Sequence, residues 1–154
     1  MKSNKKSIEE LRIGDRLIGP AHPCFVIAEA GVNHNGDVEK ALALVDAAAD
    51  ARADAVKFQT FQAHAVVSRF APKAEYQKAA TPPNESQLDM VRALALDADA
   101  HYRIASRCRK RGIVFLSSPF DEESADLLVE LGVPALKVGS GELTNLPFIA
   151  FLAR

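Results

Sequence analysis

The chain has no tryptophan, only two cysteines, an aromatic share of 6% and a formal charge of just -1. Each shortage excludes something. Cys24 and Cys108 lie far apart with no CxxC partner, and His22, His34, His64 and His101 lack ligand-like spacing. Neither a disulfide scaffold nor a self-contained zinc site is therefore expected. With 19 Lys plus Arg against 20 Asp plus Glu, no broad positive field exists for a nucleic-acid backbone or an acidic membrane surface. An anion site must be a local focus of a few cations, and a nucleic-acid partner is not expected. No apolar run approaches the roughly 20 residues of a membrane span. The basic start, Met1 to Lys6, runs into Glu9 and Glu10 rather than an apolar stretch, so no membrane partner and a cytoplasmic location are expected. What is present, 48% apolar and 25% charged residues over 154 positions, is the balance of one soluble globular domain.

Residues 1–23 read as a charged lead-in and a small hairpin, with Gly14-Asp15 set between Leu11-Arg12-Ile13 and Arg16-Leu17-Ile18. Four short apolar runs follow, Phe25 to Ala30, Ala55 to Thr60, Ile113 to Ser118 and Ala135 to Gly139. Each is bounded by turn residues and succeeded by a helical period, which is how buried parallel strands read. Helix starts are legible too. Asp37 can cap a helix with the stripe Val38, Ala41, Leu42, Val45 and Ala48. Asn84 with Gln87 resembles a capping box. Asp97 opens a helix that ends in Arg107, Arg109, Lys110, Arg111 and Gly112, where cations meet the negative helix end. Asp121 caps a helix stopping at Gly132, and a last one begins near Asn145-Leu146-Pro147. Repeated βα units imply a parallel α/β sheet. The connection from Phe61 to Pro83, with Pro72, Tyr76 and Pro82, is long enough to be a working loop over a site.

Because strands alternate faces, Ala55, Lys57 and Gln59 share one side and Val56, Phe58 and Thr60 the other. The same arithmetic groups Phe25, Ile27 and Glu29, then Val114, Leu116 and Ser118, then Ala135, Lys137 and Gly139. In parallel α/β folds ligands bind at the C-terminal ends of the strands. Four strands deliver polar groups to that rim: Glu29; Lys57 and Gln59; Ser117 and Ser118; Lys137 with Ser140 and Glu142. A buried lysine needs a carboxylate or an anionic ligand. One alternative is purely structural, with Glu29 paired to Lys57 and Glu142 to Lys137. The hydroxyls of Ser118 and Ser140 and the amides of Gly139-Ser140-Gly141 instead suit phosphate or carboxylate. Turn chemistry is the simpler role for His34 in Asn33-His34-Asn35-Gly36, and core packing for Cys108. Gly139-Ser140-Gly141-Glu142 lacks the spacing of nucleotide-binding loops.

Val26-Ile27-Ala28-Glu29-Ala30-Gly31-Val32-Asn33-His34-Asn35-Gly36, Lys57-Phe58-Gln59-Thr60, Ser117-Ser118-Pro119-Phe120 and Lys137-Val138-Gly139-Ser140-Gly141-Glu142 resemble, in order and spacing, the sialic acid synthase (NeuB) family. The resemblance runs from about Ile13 to the end. It implies a (β/α)8 TIM barrel followed by an antifreeze-like domain. It also implies condensation of phosphoenolpyruvate with an N-acylated amino sugar such as N-acetylmannosamine, giving a nine-carbon 2-keto sugar acid and phosphate. As the resemblance implies, Lys57, Ser118, Lys137 and Ser140 match positions that bind phosphoenolpyruvate, while Glu29, Gln59 and Glu142 match positions that orient the sugar. Glu29, Lys57 and Lys137 are the implied catalytic residues, and Asn84 is a looser sugar contact. A divalent metal, Mn2+ or Mg2+, is implied, with its two histidine ligands expected beyond residue 154 and none in this chain. A homodimer is implied for the full-length enzyme.

There are departures. Phe58 stands where the family's sialic acid makers often carry His, which points toward a bacterial sugar such as the precursor of legionaminic or pseudaminic acid. Ser118 replaces a frequent Thr and keeps the hydroxyl. A complete barrel takes about 250 residues, so residues 24–154 are expected to form its first half, about four βα units, inactive or nearly so alone. Two other functions compete: a non-enzymatic half-barrel binding an anion or sugar at the same rim, and a Schiff-base aldolase using Lys57 or Lys137.

Overall fold

The computed structural model describes residues 10–154 except Thr81 and Pro83, without the side chains of Tyr76, Ala79 and Ala80. The charged lead-in expected over residues 1–9, Pro83 and the Tyr76 side chain lie outside the described residues. The chain opens with a hairpin, β1 (Leu11–Ile13) and β2 (Arg16–Ile18), paired antiparallel across Gly14-Asp15. It continues through β3 (Ile27–Gly31), α1 (Val38–Asp50), β4 (Ala55–Thr60), α2 (Ala63–Val66), α3 (Glu75–Ala80), α4 (Gln87–Leu94), α5 (Ala98–Arg111), β5 (Val114–Pro119), α6 (Glu122–Glu130), a 3-10 turn at Ser140–Glu142 and α7 (Leu146–Leu152). The strands β3, β4 and β5 form one parallel sheet in that order, as alternating βα units require.

The helix starts expected at Asp37, Asp97, Asp121 and Asn145 are all present. Each carboxylate or amide accepts backbone N–H groups of the first turn that have no partner inside the helix. The expected box at Asn84 and Gln87 is corrected. Ser86 caps α4, its Oγ accepting from the Asp89 amide at 3.0 Å and donating to the Asp89 carboxylate at 2.7 Å. Ser86 and Asp89 repeat the same four-residue spacing two positions later, and the apolar face of α4 decides between the two.

The fourth apolar run also differs from expectation. Only Leu136 bridges to the sheet, parallel to Ser117, with the Lys137 amide donating to the Ser117 carbonyl at 3.2 Å. One bridge is too short a ladder to make the run a strand at the edge of the sheet.

The core lies between the sheet and its helices. Val56, Phe58, Phe115 and Ala30 pack against Ala41, Leu42, Val45 and Ala48 of α1, Ile104, Ala105 and Cys108 of α5, and Leu128 of α6. The basic end of α5 does more than offset a helix dipole. Arg107 and Arg111 both reach Asp46 of α1, at 3.5 and 3.3 Å, and Arg111 also pairs with Asp50. Below the sheet the hairpin is tied on by Arg16, which pairs with Asp54, while the other oxygen of Asp54 accepts from the Val26 amide at 2.7 Å. No helix among the described residues is long and apolar enough to cross a membrane.

Candidate active site at the open face of the sheet

Strand alternation sorts the polar residues between two faces. On the helix side Thr60, Ser117 and His101 form a closed network. The Thr60 hydroxyl lies 2.7 Å from that of Ser117 and 3.0 Å from His101 Nε2, and His101 Nδ1 meets the Asp97 carbonyl at 2.8 Å. Ser117, grouped with the rim by sequence, therefore belongs to the core. His34 joins the same side. It is 1% exposed, its Nδ1 accepts from the Gly36 amide at 3.0 Å, and its ring stands 6.0 Å from that of Phe58. That is the turn chemistry expected of it, with burial added. Desolvation holds the pKa of both histidines below the ordinary 6.5, and the Asp97 carbonyl pulls His101 partly back. Cys108 is core as expected, its thiol pushed up to about 12 by burial. Phe58, read as a marker of the sugar, is fully buried between His34 and Phe115 and faces the helices, so it touches nothing on the other face.

The opposite face carries the candidate site. Register aligns Glu29 with Lys57 and Leu116, and Gln59 with Ser118. The Lys57 side chain is 9% exposed and forms an ion pair with Glu29, whose side chain is 56% exposed. A charge buried this far is tolerable only with such a partner. The geometry of Glu29 comes from a register shift between Glu29 and Gly31. Gly31 sits at φ +53°, and a Cβ there would come within 3.2 Å of Glu29 Oε1. Ser118 is 1% exposed, and its Oγ has no hydrogen-bond partner. A buried hydroxyl left unpaired costs about 1–3 kcal/mol. It sits one strand from Gln59.

Beyond β5, Leu136 packs on the core, and the next residue, Lys137, is exposed. Of the two ion pairs in the purely structural alternative, Glu29–Lys57 forms, and among the described residues Glu142–Lys137 does not. Glu142 accepts instead from Asn145 Nδ2 at 2.8 Å. Ser140 is exposed at the start of the 3-10 turn, and Gly139 before it is buried. Asn84 lies in an exposed turn ahead of the Ser86 cap.

The long connection after β4 is structured. Lys73 Nζ binds the Pro82 carbonyl and the Glu85 carboxylate, both at 3.0 Å, and so closes the loop on itself. Residues of α2 and α4 border an open depression of about 370 Å³ whose walls include Gln59, Phe61, Met90, Val91, Leu94 and Phe120. Sequence reading missed this depression. The available signal was an aromatic residue directly after both Lys57-Phe58-Gln59-Thr60 and Ser117-Ser118-Pro119.

The divalent cation implied by resemblance was tested against the residues present. Among the described residues no three His, Cys, Asp or Glu side chains converge. Glu29 is engaged by Lys57, Glu142 by Asn145, and the buried histidines lie behind the sheet. These residues do not make a cation site.

A profile of the NeuB family matches residues 44–154. The chain is 49% identical over 135 residues to an N,N'-diacetyllegionaminic acid synthase of Legionella pneumophila, covering 88% of this chain and 38% of that protein. It is 52% identical over 130 residues to the enzyme of the same name from Campylobacter jejuni, covering 84% and 39%. Among solved structures, an N-acetylneuraminic acid synthetase of Leptospira borgpetersenii in complex with citrate superposes with a TM-score of 0.77 at 33% identity, over 94% of this chain and 46% of that one. The chain thus spans about two fifths of the curated relatives it matches. Family profile, sequence identity and superposed backbone agree, and the chain belongs to the NeuB family.

Proposed function

We propose that this chain supplies the anion-gripping part of a sugar-acid synthase. The whole enzyme would join phosphoenolpyruvate to the aldehyde of an N-acylated amino sugar, making a nine-carbon 2-keto acid and releasing phosphate. The observation carrying the reading is the buried, unpartnered Ser118 hydroxyl on the same sheet face as the buried Lys57 ammonium, at the strand ends where barrel enzymes bind ligands. In this reading Lys57 and Lys137 flank a trianion, Ser118 and Ser140 donate to its oxygens, and the amides around Gly139 add fixed dipoles. Glu29 shares Lys57 with the anion. Being solvated, it also remains able to accept from a sugar hydroxyl, beside Gln59 and Glu142. C3 of phosphoenolpyruvate bonds to the aldehyde carbon, water adds to C2, and phosphate leaves by cleavage of its bond to C2. The residues named here bind and orient, and preorganised charge is their contribution. Residues 1–23 are proposed as a lead-in and hairpin closing the lower end, and residues 24–154 as part of the barrel.

An N,N'-diacetylated product, as in the names of the Legionella and Campylobacter relatives, is favoured over a singly acetylated one because this chain is 49% and 52% identical to them. An aldolase fits less well, since Lys57 is held as an ion pair rather than presented to a carbonyl. Calorimetric titration with phosphoenolpyruvate tests the reading. Binding at millimolar ligand that Lys57→Met weakens about tenfold or more is expected, given the 1.5–3 kcal/mol typical of a charged hydrogen bond. Absence of heat would overturn it. Borohydride with pyruvate should leave no covalent adduct.

A further inference from the structure

Of the asparagines in the chain, Asn4, Asn33, Asn35, Asn84 and Asn145, only Asn35 is followed by glycine. The pair sits in the turn between β3 and α1, where Asn35 is exposed and both residues are left-handed, at φ +52° for Asn35 and +74° for Gly36. The fold leaves little choice at either position. A Cβ on Gly36 would stand 2.2 Å from the Ala93 carbonyl oxygen of α4, so no side chain fits there. One residue earlier, Asn and Asp are the residues bearing a Cβ that best tolerate the left-handed backbone. The turn is fastened by the Asn35 amide donating to the Val32 carbonyl and the Asp37 amide to the His34 carbonyl, both at 3.0 Å.

The side-chain carbonyl carbon of an asparagine and the backbone nitrogen of the next residue can close a cyclic imide, and the side chain of that next residue is the main steric obstacle. Here there is none. The Gly36 N–H also points at a proton acceptor. It donates to His34 Nδ1 at 3.0 Å, and burial holds that imidazole below the ordinary 6.5, so it is uncharged at neutral pH. The other described asparagines lack this combination. Asn145 is engaged as the α7 cap and donates through Nδ2 to Glu142, while Asn33 and Asn84 precede His34 and Glu85, whose side chains crowd the attacking nitrogen.

We propose that Asn35–Gly36 is a site of self-modification, at which the turn converts its own asparagine to aspartyl and isoaspartyl residues. The Gly36 nitrogen gives up its proton to His34 Nδ1 and bonds to Asn35 Cγ. The bond from Cγ to Nδ2 breaks, and the departing nitrogen takes that proton and leaves as ammonia. Water then opens the imide at either carbonyl. Opening at Cγ gives an aspartate in an unaltered backbone, which the left-handed position accepts. Opening at the main-chain carbonyl routes the backbone through Cβ and Cγ and lengthens it. The close approach of Gly36 to Ala93 leaves no space for the longer chain, so the isoaspartyl form loses the Gly36–His34 hydrogen bond and the seat of the turn on α4. One product is silent, and the other opens the connection between β3 and α1.

Ageing the full chain in mildly alkaline buffer tests this, with tandem mass spectrometry of the segment carrying Asn33 and Asn35 and enzymatic carboxyl methylation to detect isoaspartate. Exchange of the amide nitrogen for oxygen at Asn35, and not at Asn33, is expected. The folded chain should react within about tenfold of the rate in urea, because an exposed turn opens at little cost. Aged chain should contain a fraction that unfolds at lower urea. Asn35→Gly, which suits the left-handed backbone and carries no amide, should stay unmodified and keep its urea midpoint. His34→Phe, which removes the acceptor, should slow the folded-state reaction about tenfold or more and leave the rate in urea unchanged. An unmodified Asn35, modification confined to the chain in urea, or equal modification of Asn33 would overturn the site. A folded-state rate unmoved or raised by His34→Phe would overturn the role of the imidazole.

Discussion

The two faces of one sheet differ in what their polar groups meet, though each has a buried atom without a partner, His34 Nε2 behind and Ser118 Oγ in front. Behind it, Thr60, Ser117 and His101 close a hydrogen-bonded network inside a core that includes Phe58 and Phe115. In front, the Ser118 hydroxyl has no partner, Lys57 leans on a solvated carboxylate, and Ile27 is 43% exposed. The strands are the same, and consecutive residues contribute to opposite sides. One face lowers the free energy of the fold, and the other holds unsatisfied groups ready for something else. Polar atoms left unpaired at a strand end are a stability cost that packing on the other side has to offset.

That contrast can be broken experimentally. The largest effect belongs to the back. Phe58→Ala should cost about 3–5 kcal/mol in urea unfolding, because its ring is fully buried between His34 and Phe115. A neutral result would mean the helix-side core is not what holds the sheet. Next comes Gly36, at φ +74°, where a Cβ would stand 2.2 Å from the Ala93 carbonyl oxygen. Gly36→Ala should destabilise by about 2 kcal/mol or more, from left-handed strain and the clash together. It should also loosen α4, so amide exchange in residues 87–94 should accelerate.

A third effect is graded with pH. His34 and His101 are buried with pKa values below the 6.5 of the unfolded chain, so between the two values the unfolded state binds more protons. Stability is complete above pH 6.5 and falls as the pH drops from there through the folded-state values. Their carboxylate neighbours, Asp37 beside His34 and Asp97 beside His101, limit the fall. Urea midpoints at pH 7.5 and 5.5 should show this loss, and His101→Asn should reduce it. Equal midpoints in the native chain would argue that both rings titrate freely. The smallest effect belongs to the front. Ser118→Ala removes a buried hydroxyl with no partner, so stability should rise, by about 1 kcal/mol, while phosphoenolpyruvate binding weakens. A large loss of stability there would show that the two faces do not divide labour in this way.

How much of this was legible beforehand depends on the range of the interaction. Caps at Asp37, Asp97 and Asp121 were readable because a side chain and an amide two or three residues away decide them. Asn84 misled for the same reason, since two overlapping local patterns were available and only the packing of α4 chose Ser86. Facing was readable for Lys57, Gln59 and Ser118, because alternation is a property of any strand. Ser117 was grouped with the rim by its motif, which lists neighbours along the chain without separating the sides they face. The run at Lys137 was read as a strand from its composition, but strand formation depends on partners that composition does not supply.

Local order, the two-residue alternation and four ordered motifs were thus determined by sequence alone, and with them the family and the βα succession. Tertiary structure decided the rest: which carboxylate neutralises Lys57, that Glu142 turns to Asn145, that two histidines are walled in behind the sheet, and that α4 borders an open depression instead of sealing the core. The physical reason is distance along the chain. Backbone sterics and caps act within a few residues, whereas burial and ion pairing depend on segments tens of residues apart, whose meeting is settled only when the sheet and helices assemble.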